Sequence, residues 1–173
     1  MMIFQRTGLL APCVISSNRI FGIGAETSHN LSLSDCHILS NQFGVGFDLN
    51  SLGHLKNCEI SDCSMVGAGG QDSSVSFLQC QIHDCTAGIN LVGDFSGTID
   101  GCRVYGNTRF GIGIDSGSNP VIRNCTITGN RGPGVKSAKK SGGRIENCDL
   151  SGNNGRAWEA HPKSSTIDYN NRK

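Results

Sequence analysis

The chain has 173 residues, 36% of them hydrophobic, with 24 glycines and nine cysteines. This is the size of one domain with a continuous core, and no run approaches the ~18 apolar residues that a membrane span requires. The formal net charge of +1 conceals an asymmetry: residues 1–100 hold three bases against nine acids, a balance of −6, and residues 101–173 hold twelve against five, a balance of +7.

Residues 1–10 form a leading cap segment whose Met1, Met2, Ile3 and Phe4 are apolar enough to lie across an open first coil. The segment lacks a basic head followed by an apolar stretch, so no signal peptide is expected. Leu9-Leu10-Ala11-Pro12-Cys13 has the outline of a lipoprotein box, but a proline precedes the cysteine and Cys13 belongs to the pattern that follows.

Cys13, Cys36, Cys58, Cys80, Cys102, Cys125 and Cys148 are separated by 23, 22, 22, 22, 23 and 23 residues, which is self-similarity at a fixed period. Three residues before each cysteine stand Leu10, Leu33, Leu55, Phe77, Ile99, Ile122 and Ile145. Two after it stand Ile15, Ile38, Ile60, Ile82, Val104, Ile127 and Leu150. Five after it stand Asn18, Asn41, Cys63, Cys85, Asn107, Asn130 and Asn153, an asparagine column interrupted by two cysteines. An eighth, partial copy begins at Ile167 and places Asn170 in the cysteine column.

A period near 22 made of short apolar pairs with Gly, Ser and Asn between them has no room for an ordinary helix in each unit; three short strands fit instead. Stacking such units lays identical residues over one another at the inter-strand spacing. The expected fold is therefore all-β, a single parallel β-helix solenoid over residues 1–173, with residues 166–173 as a partial last coil and tail. Seven coils at ~4.8 Å give a rod roughly 34 Å long.

The third strand of each coil is glycine-rich, as in Phe21-Gly22-Ile23, Phe43-Gly44-Val45 and Phe110-Gly111-Ile112. Coil three, with Met65-Val66-Gly67-Ala68-Gly69-Gly70-Gln71-Asp72, is expected to present the flattest face. Coil six closes on Lys136-Ser137-Ala138-Lys139-Lys140-Ser141-Gly142-Gly143, which reads as a protruding basic loop. Coil seven places Trp158 where other coils have Ile or Val, closing the last core layer.

The unit Ser118-Asn119-Pro120-Val121-Ile122-Arg123-Asn124, followed by Cys125, resembles the right-handed parallel β-helix repeat of pectin-lyase-like proteins, and is most similar to the repeats of F-box-type and bacterial β-helix proteins. The resemblance covers nearly the whole chain and implies a right-handed solenoid of about seven coils. It implies no single activity, because this fold carries lyases, hydrolases, epimerases, adhesins and binding scaffolds. Where relatives often stack asparagine, this chain stacks cysteine.

Stacked cysteines in register point the same way, with β-carbons one strand spacing apart instead of the ~3.8 Å that a disulfide prefers. Free thiols serving as small buried hydrophobes are expected, which suits a reducing compartment, the cytoplasm. Zinc at Cys58 and Cys63, or at Cys80 and Cys85, is disfavoured, since the five-residue separation is coil geometry and no histidine stands at ligand spacing in both coils; no metal or other cofactor is expected.

Carbohydrate-active β-helices use paired carboxylates, or a base beside calcium-binding acids. The candidates are Asp48, Asp72, Asp94 and Asp115, which fall 12, 14, 14 and 13 residues after their cysteines, near one edge of four successive coils. Aspartate is also a common turn residue, and the chain contains no Asp-Asp pair, Asn-Thr-Asp, Ser-His-Gly or Arg-x-Pro-x-x-Arg. His29, His37, His54, His83 and His161 occupy different repeat positions, and His83-Asp84, aligned with Ser61-Asp62 and Tyr105-Gly106, reads as an outward turn.

Arg109, Arg131, Lys136, Lys139 and Lys140, in the basic C-terminal coils, suit an anionic polymer. Nucleic acid is a weaker fit because aromatic stacking platforms are few. The expected function is a rigid non-catalytic scaffold that binds a protein or a carbohydrate or polyanionic polymer along one face or at an end, with no membrane contact. Two alternatives stand beside it: a carbohydrate-active enzyme using the aspartate edge, and a structural subunit whose oppositely charged halves meet end to end in a homo-oligomer.

Overall fold

The computed structural model describes residues 2–3, 7–27 and 30–173; the expectations placed on Met1, Phe4 and His29 lie outside them. Each coil runs through three strands. The first-face strands are Thr7–Leu10, Asn30–Ser34, Leu52–Lys56, Ser74–Leu78, Ser96–Asp100, Asn119–Arg123, Arg144–Glu146 and Ile167–Tyr169. The second-face strands are Val14–Ser16, His37–Leu39, Glu59–Ser61, Gln81–His83, Arg103–Tyr105 and Thr126–Thr128. The third-face strands are Met2–Ile3, Phe21–Ala25, Phe43–Phe47, Val66–Gln71, Ala87–Val92, Phe110–Ile114, Val135–Ser137 and Trp158–Ala160. They form three parallel sheets of eight, six and eight strands, each strand pairing with the same strand of the coils above and below. The result is an all-β parallel solenoid of about seven turns.

The core is the sum of the sequence columns. Leu33, Leu55, Phe77, Ile99, Ile122 and Ile145 from the first face meet Ile38, Ile60, Ile82, Val104, Ile127 and Leu150, all buried, and the cysteines from Cys36 to Cys148 fill the corner between them. All nine cysteines are free thiols. Only Cys13 is part-exposed, with its Sγ 3.1 Å from that of Cys36. Burial, then the neighbouring Cys36, pushes its thiol up to about 11, so it is a thiol and not a thiolate at neutral pH.

Asparagine closes the corner between the second and third faces. Asn18 donates to Asn41 Oδ1, Asn107 to Asn130 Oδ1 and Asn130 to Asn153 Oδ1, at 2.9–3.0 Å between side chains. The amides also satisfy backbone groups of the preceding coil, as where Asn130 Oδ1 accepts the Asn107 N–H and Asn130 Nδ2 donates to Val104 O, groups that a corner turning away from both sheets leaves unpaired. Cys63 and Cys85 interrupt the column, and Asn107 Oδ1 resumes it by accepting the Cys85 backbone N–H at 3.0 Å.

The corner between the third and first faces carries a ladder of a different kind. Ser51, Ser73, Ser118, Ser141 and Ser164 stack in register, and Phe95 takes the fourth-coil place. Ser51, Ser118 and Ser141 donate to the carbonyls of Asp48, Gly93 and Ala138 at 2.5, 3.0 and 2.7 Å. The Phe95 ring lies against Gly70, where an added Cβ would sit 3.0 Å from its edge. A missing side chain on one strand thus makes room for an oversized one at the corner.

The structure corrects two expectations. Glu146 pairs with Tyr169, which places Asn171, not Asn170, in the cysteine column, where its Oδ1 accepts the Cys148 N–H at 2.8 Å. The Lys136–Gly143 segment does not protrude: Lys136 is an exposed residue of a strand, Ser137 and Ser141 are buried in the corner, and Lys139 and Lys140 face solvent in a tight turn closed by Ser141 N–H to Ala138 O. At the leading end, Met2–Ile3 pairs with Ile23 and Gly24 and extends the third sheet by one strand. Trp158 does stack below Val135, with its indole N–H on Ser137 Oγ at 2.8 Å.

Candidate functional site

The third face is where side chains leave the solenoid bare. Its strands do not alternate strictly: Phe21 points out, Gly22 and Ile23 are both buried, Gly24 points out again and Ala25 is buried. Three outward columns result. Phe21, Phe43, Val66, Ala87 and Phe110 form one wall. Gly24, Gly46, Gly69, Asn90, Gly113 and Lys136 form the floor. Glu26, Asp48, Gln71, Val92 and Asp115 continue the same strands as the opposite rim. Because the floor is glycine in four of six coils, wall and rim enclose a groove parallel to the rod axis, spanning roughly 24 Å over five strand spacings. The flat face expected of coil three is therefore a property of coils one to three and five.

The groove has two sections that meet at Asn90. The first, of ≈ 240 Å³, lies between the Phe21, Phe43 and Val66 wall and the Glu26, Asp48 and Gln71 rim. Phe21 and Phe43 are stacked with centroids 5.0 Å apart and present a continuous half-buried aromatic surface. The second, of ≈ 180 Å³, is lined by Arg109, Phe110, Lys136 and Asp115. Arg109 stands over the Phe110 ring at 5.7 Å, and Lys136 Nζ lies 4.0 Å from Glu159.

The anticipated aspartates separate into two positions. Asp48 and Asp115 share the rim column but are three coils apart, roughly 14 Å by strand spacing. Asp72 and Asp94 lie one step further into the corner, where Asp72 Oδ1 accepts the Asp94 N–H at 2.8 Å, and Asp48 Oδ1 accepts the Leu49 N–H at 2.8 Å. Aspartates holding backbone N–H groups in this way are doing turn work. Of the five bases, Arg109 and Lys136 line the groove, Arg131 lies in the turn after Asn130, and Lys139 and Lys140 occupy the tight turn of coil six. The residues not anticipated from sequence are Glu26, which stands beside Asp48 on the adjacent coil, and the Phe21–Phe43 pair.

A second cluster lies on the second face. Glu59 accepts His37 Nδ1 at 2.8 Å and His83 Nε2 at 3.1 Å, and the other nitrogen of His83 faces Asp84 Oδ2 at 2.7 Å. The His83 ring stacks on Tyr105 at 4.6 Å, and Arg103 lies over the Tyr105 ring at 5.2 Å from its centroid. The hydrogen bonds from His83 and then His37 hold the Glu59 carboxyl below the usual carboxylate range. Asp84 is the outward αL turn residue that its alignment suggests, whereas His83 is in the strand and half-buried. Both Glu59 oxygens and both His83 nitrogens already have partners, and among the described residues no three His, Cys, Asp or Glu side chains converge as metal ligands.

Three parallel sheets closed around a stacked core, with one face left open as a groove, define a parallel β-helix protein. The chain belongs to the right-handed β-helix family: the family described as right handed beta helix region matches residues 21–172. Among solved structures it is similar to the periplasmic alginate epimerase AlgG, with a TM-score of 0.81 and 14% identity over 96% of this chain and 46% of that one. It is also similar to the A-modules of two Azotobacter vinelandii mannuronan C-5 epimerases. For AlgE4 the TM-score is 0.68 at 12% identity, covering 97% of this chain and 56% of that one. For AlgE6 it is 0.62 at 17% identity, covering 99% and 60%. The chain thus spans about half the length of these structures, and at such identities the likeness is one of fold. No curated protein matches the sequence significantly.

Proposed function

We propose that this protein binds an extended polysaccharide lengthwise in the third-face groove. The observation that carries the reading is the glycine floor beside the stacked Phe21–Phe43 surface. A sugar ring has an apolar C–H face and an equator of hydroxyls; an aromatic wall takes the first, and the carboxylate and amide groups of Glu26, Asp48, Gln71 and Asn90 take hydrogen bonds from the second. A groove parallel to the rod repeats this opportunity at every coil, which suits a polymer better than a compact ligand. The fold neighbours support the reading to the extent that their names refer to alginate and mannuronan, both polysaccharides.

The test exploits Gly24, where an added Cβ would meet nothing within 4 Å. Gly24→Trp is expected to fill the first section without disturbing the core, so the thermal unfolding midpoint stays at the wild-type value while affinity for soluble glucomannan falls about tenfold or more, a loss of roughly 1.4 kcal/mol. Unchanged affinity in a folded Gly24→Trp protein would remove the groove from consideration.

A second reading, that the groove also performs acid–base chemistry on its ligand, is favoured by one feature. Glu26 and Asp48 stand on adjacent coils at the same rim, about one strand spacing of 4.8 Å apart, and two carboxylates at such a separation can flank a glycosidic bond. On this reading the bound polymer is cleaved or altered over time, and both Glu26→Gln and Asp48→Asn stop the conversion while leaving binding in place. Stable polymer after prolonged incubation with wild-type protein leaves the binding function alone.

A further inference from the structure

Building on the groove as a polysaccharide site, we propose that its ligand is a sparsely charged glycan, largely neutral, with isolated anionic sugars. The charge pattern along the groove carries this. The first section holds two acids, Glu26 and Asp48, and no base. The second holds two bases, Arg109 and Lys136, with the single acid Asp115 in its lining, and the exposed Glu159 reaches Lys136 Nζ from outside it at 4.0 Å. A polymer with a carboxylate on every sugar would satisfy the second section and set like charge against the first, beside an aromatic wall that offers no compensating cation. A wholly neutral polymer fits the first section and leaves the Arg109 guanidinium without the anion that its position over the groove favours, and Lys136 with only the exposed Glu159 carboxylate at 4.0 Å. A chain that lays neutral sugars over Phe21 and Phe43 and one carboxylate or sulfate between Arg109 and Lys136 satisfies both sections at once.

The two sites of contact are fixed relative to each other by the rod. Phe43 is in coil two and Arg109 in coil five, three strand spacings apart, or roughly 14 Å. The groove therefore selects charge spacing as well as charge.

The experiment is a titration of the full chain at low salt with three polysaccharides: gellan, whose repeat carries a single uronate among neutral sugars; polygalacturonate, charged at every sugar; and glucomannan, which is neutral. Gellan is expected to bind about tenfold more tightly than either of the others. The double variant Arg109→Ala with Lys136→Ala should bring gellan down to the glucomannan affinity and leave glucomannan unchanged. Glu26→Gln with Asp48→Asn should raise the affinity for polygalacturonate. Tightest binding of polygalacturonate, or of glucomannan with no effect of the base substitutions, overturns the sparse-charge assignment while the groove stands. Failure of all three to bind, with Gly24→Trp silent, overturns the groove itself and this inference with it.

Discussion

Asn130→Ala is expected to lower the unfolding free energy by about 3–5 kcal/mol. Asn130 is fully buried, and its Oδ1 accepts both the backbone N–H and the Nδ2 of Asn107, at 3.1 and 2.9 Å. Its own Nδ2 donates to Val104 O at 3.2 Å and to Asn153 Oδ1 at 2.9 Å. Truncation strands several of these groups without water, and each buried orphan costs about 1–3 kcal/mol. The position also links three coils, so the loss falls on the stacking interfaces that hold a solenoid together. Chemical denaturation followed by circular dichroism measures it. Asn130→Cys gives the comparison: the ladder already contains Cys63 and Cys85, so a thiol should cost less than a methyl, and a wild-type midpoint for Asn130→Ala would show that the ladder contributes nothing to stability.

Phe95→Ala should cost about 3–5 kcal/mol for a different reason, a cavity. Phe95 is 1% exposed and takes the fourth place in the serine corner, its ring filling the space that Gly70 leaves open. Phe95→Ser separates the two contributions. It restores the serine column, and Ser73 Oγ, which has no hydrogen-bond partner, would gain a hydroxyl neighbour. The cavity remains, so Phe95→Ser is expected to stay within about 1 kcal/mol of Phe95→Ala. A Phe95→Ser protein as stable as wild type would mean that the hydroxyl ladder outweighs packing at this corner.

These two residues illustrate what is legible in a repeat. Asn130 is readable from spacing alone, because a side chain that recurs at a fixed register must stack on copies of itself, and an amide can donate and accept along such a column. The serine corner is less visible: Ser51, Ser73 and Ser118 stand 15, 15 and 16 residues after their cysteines, among many other serines, and serine is common in turns. Phe95 occupying that column with Gly70 as its complement is a packing relation between two coils that neither spacing nor composition expresses. The eighth copy shows the same limit at the level of one residue. Apolar Ile167 attracts the register, but the sheet pairs Ile145 with Asp168 and so puts Asn171 in line with Cys148.

The groove was hidden for a geometric reason. Strict alternation along Phe21-Gly22-Ile23-Gly24-Ala25 would put Phe21 on the same side as Ile23 and Ala25, in the core. The strand instead buries two consecutive residues, Gly22 and Ile23, since at Gly22 an added Cβ would strike Gly44 O at 2.7 Å and Asn41 Nδ2 at 2.8 Å. That one irregularity turns Phe21 and Phe43 outward and makes glycine the floor. The signal was present as a recurring apolar residue seven or eight places after each cysteine in coils one to five, namely Phe21, Phe43, Val66, Ala87 and Phe110, but its direction was not. The His37, Glu59 and His83 cluster is hidden in a related way: His37 and Glu59 stack in one column, 22 residues apart, but His83 stands 24 residues from Glu59 and meets it only on the diagonal between two columns.

By itself the sequence determined the solenoid, its three-strand coils, the cysteine and asparagine columns and the free thiols, because period and register are one-dimensional quantities that stacking converts directly into contacts. Tertiary structure alone decided which outward residues share a surface. It separated Asp48 and Asp115 from Asp72 and Asp94, drew Arg109 and Lys136 into the groove and left Arg131, Lys139 and Lys140 outside it. The physical reason is that a core position is specified by what it repeats, whereas a surface site depends on the direction of each side chain and on where the backbone departs from its period.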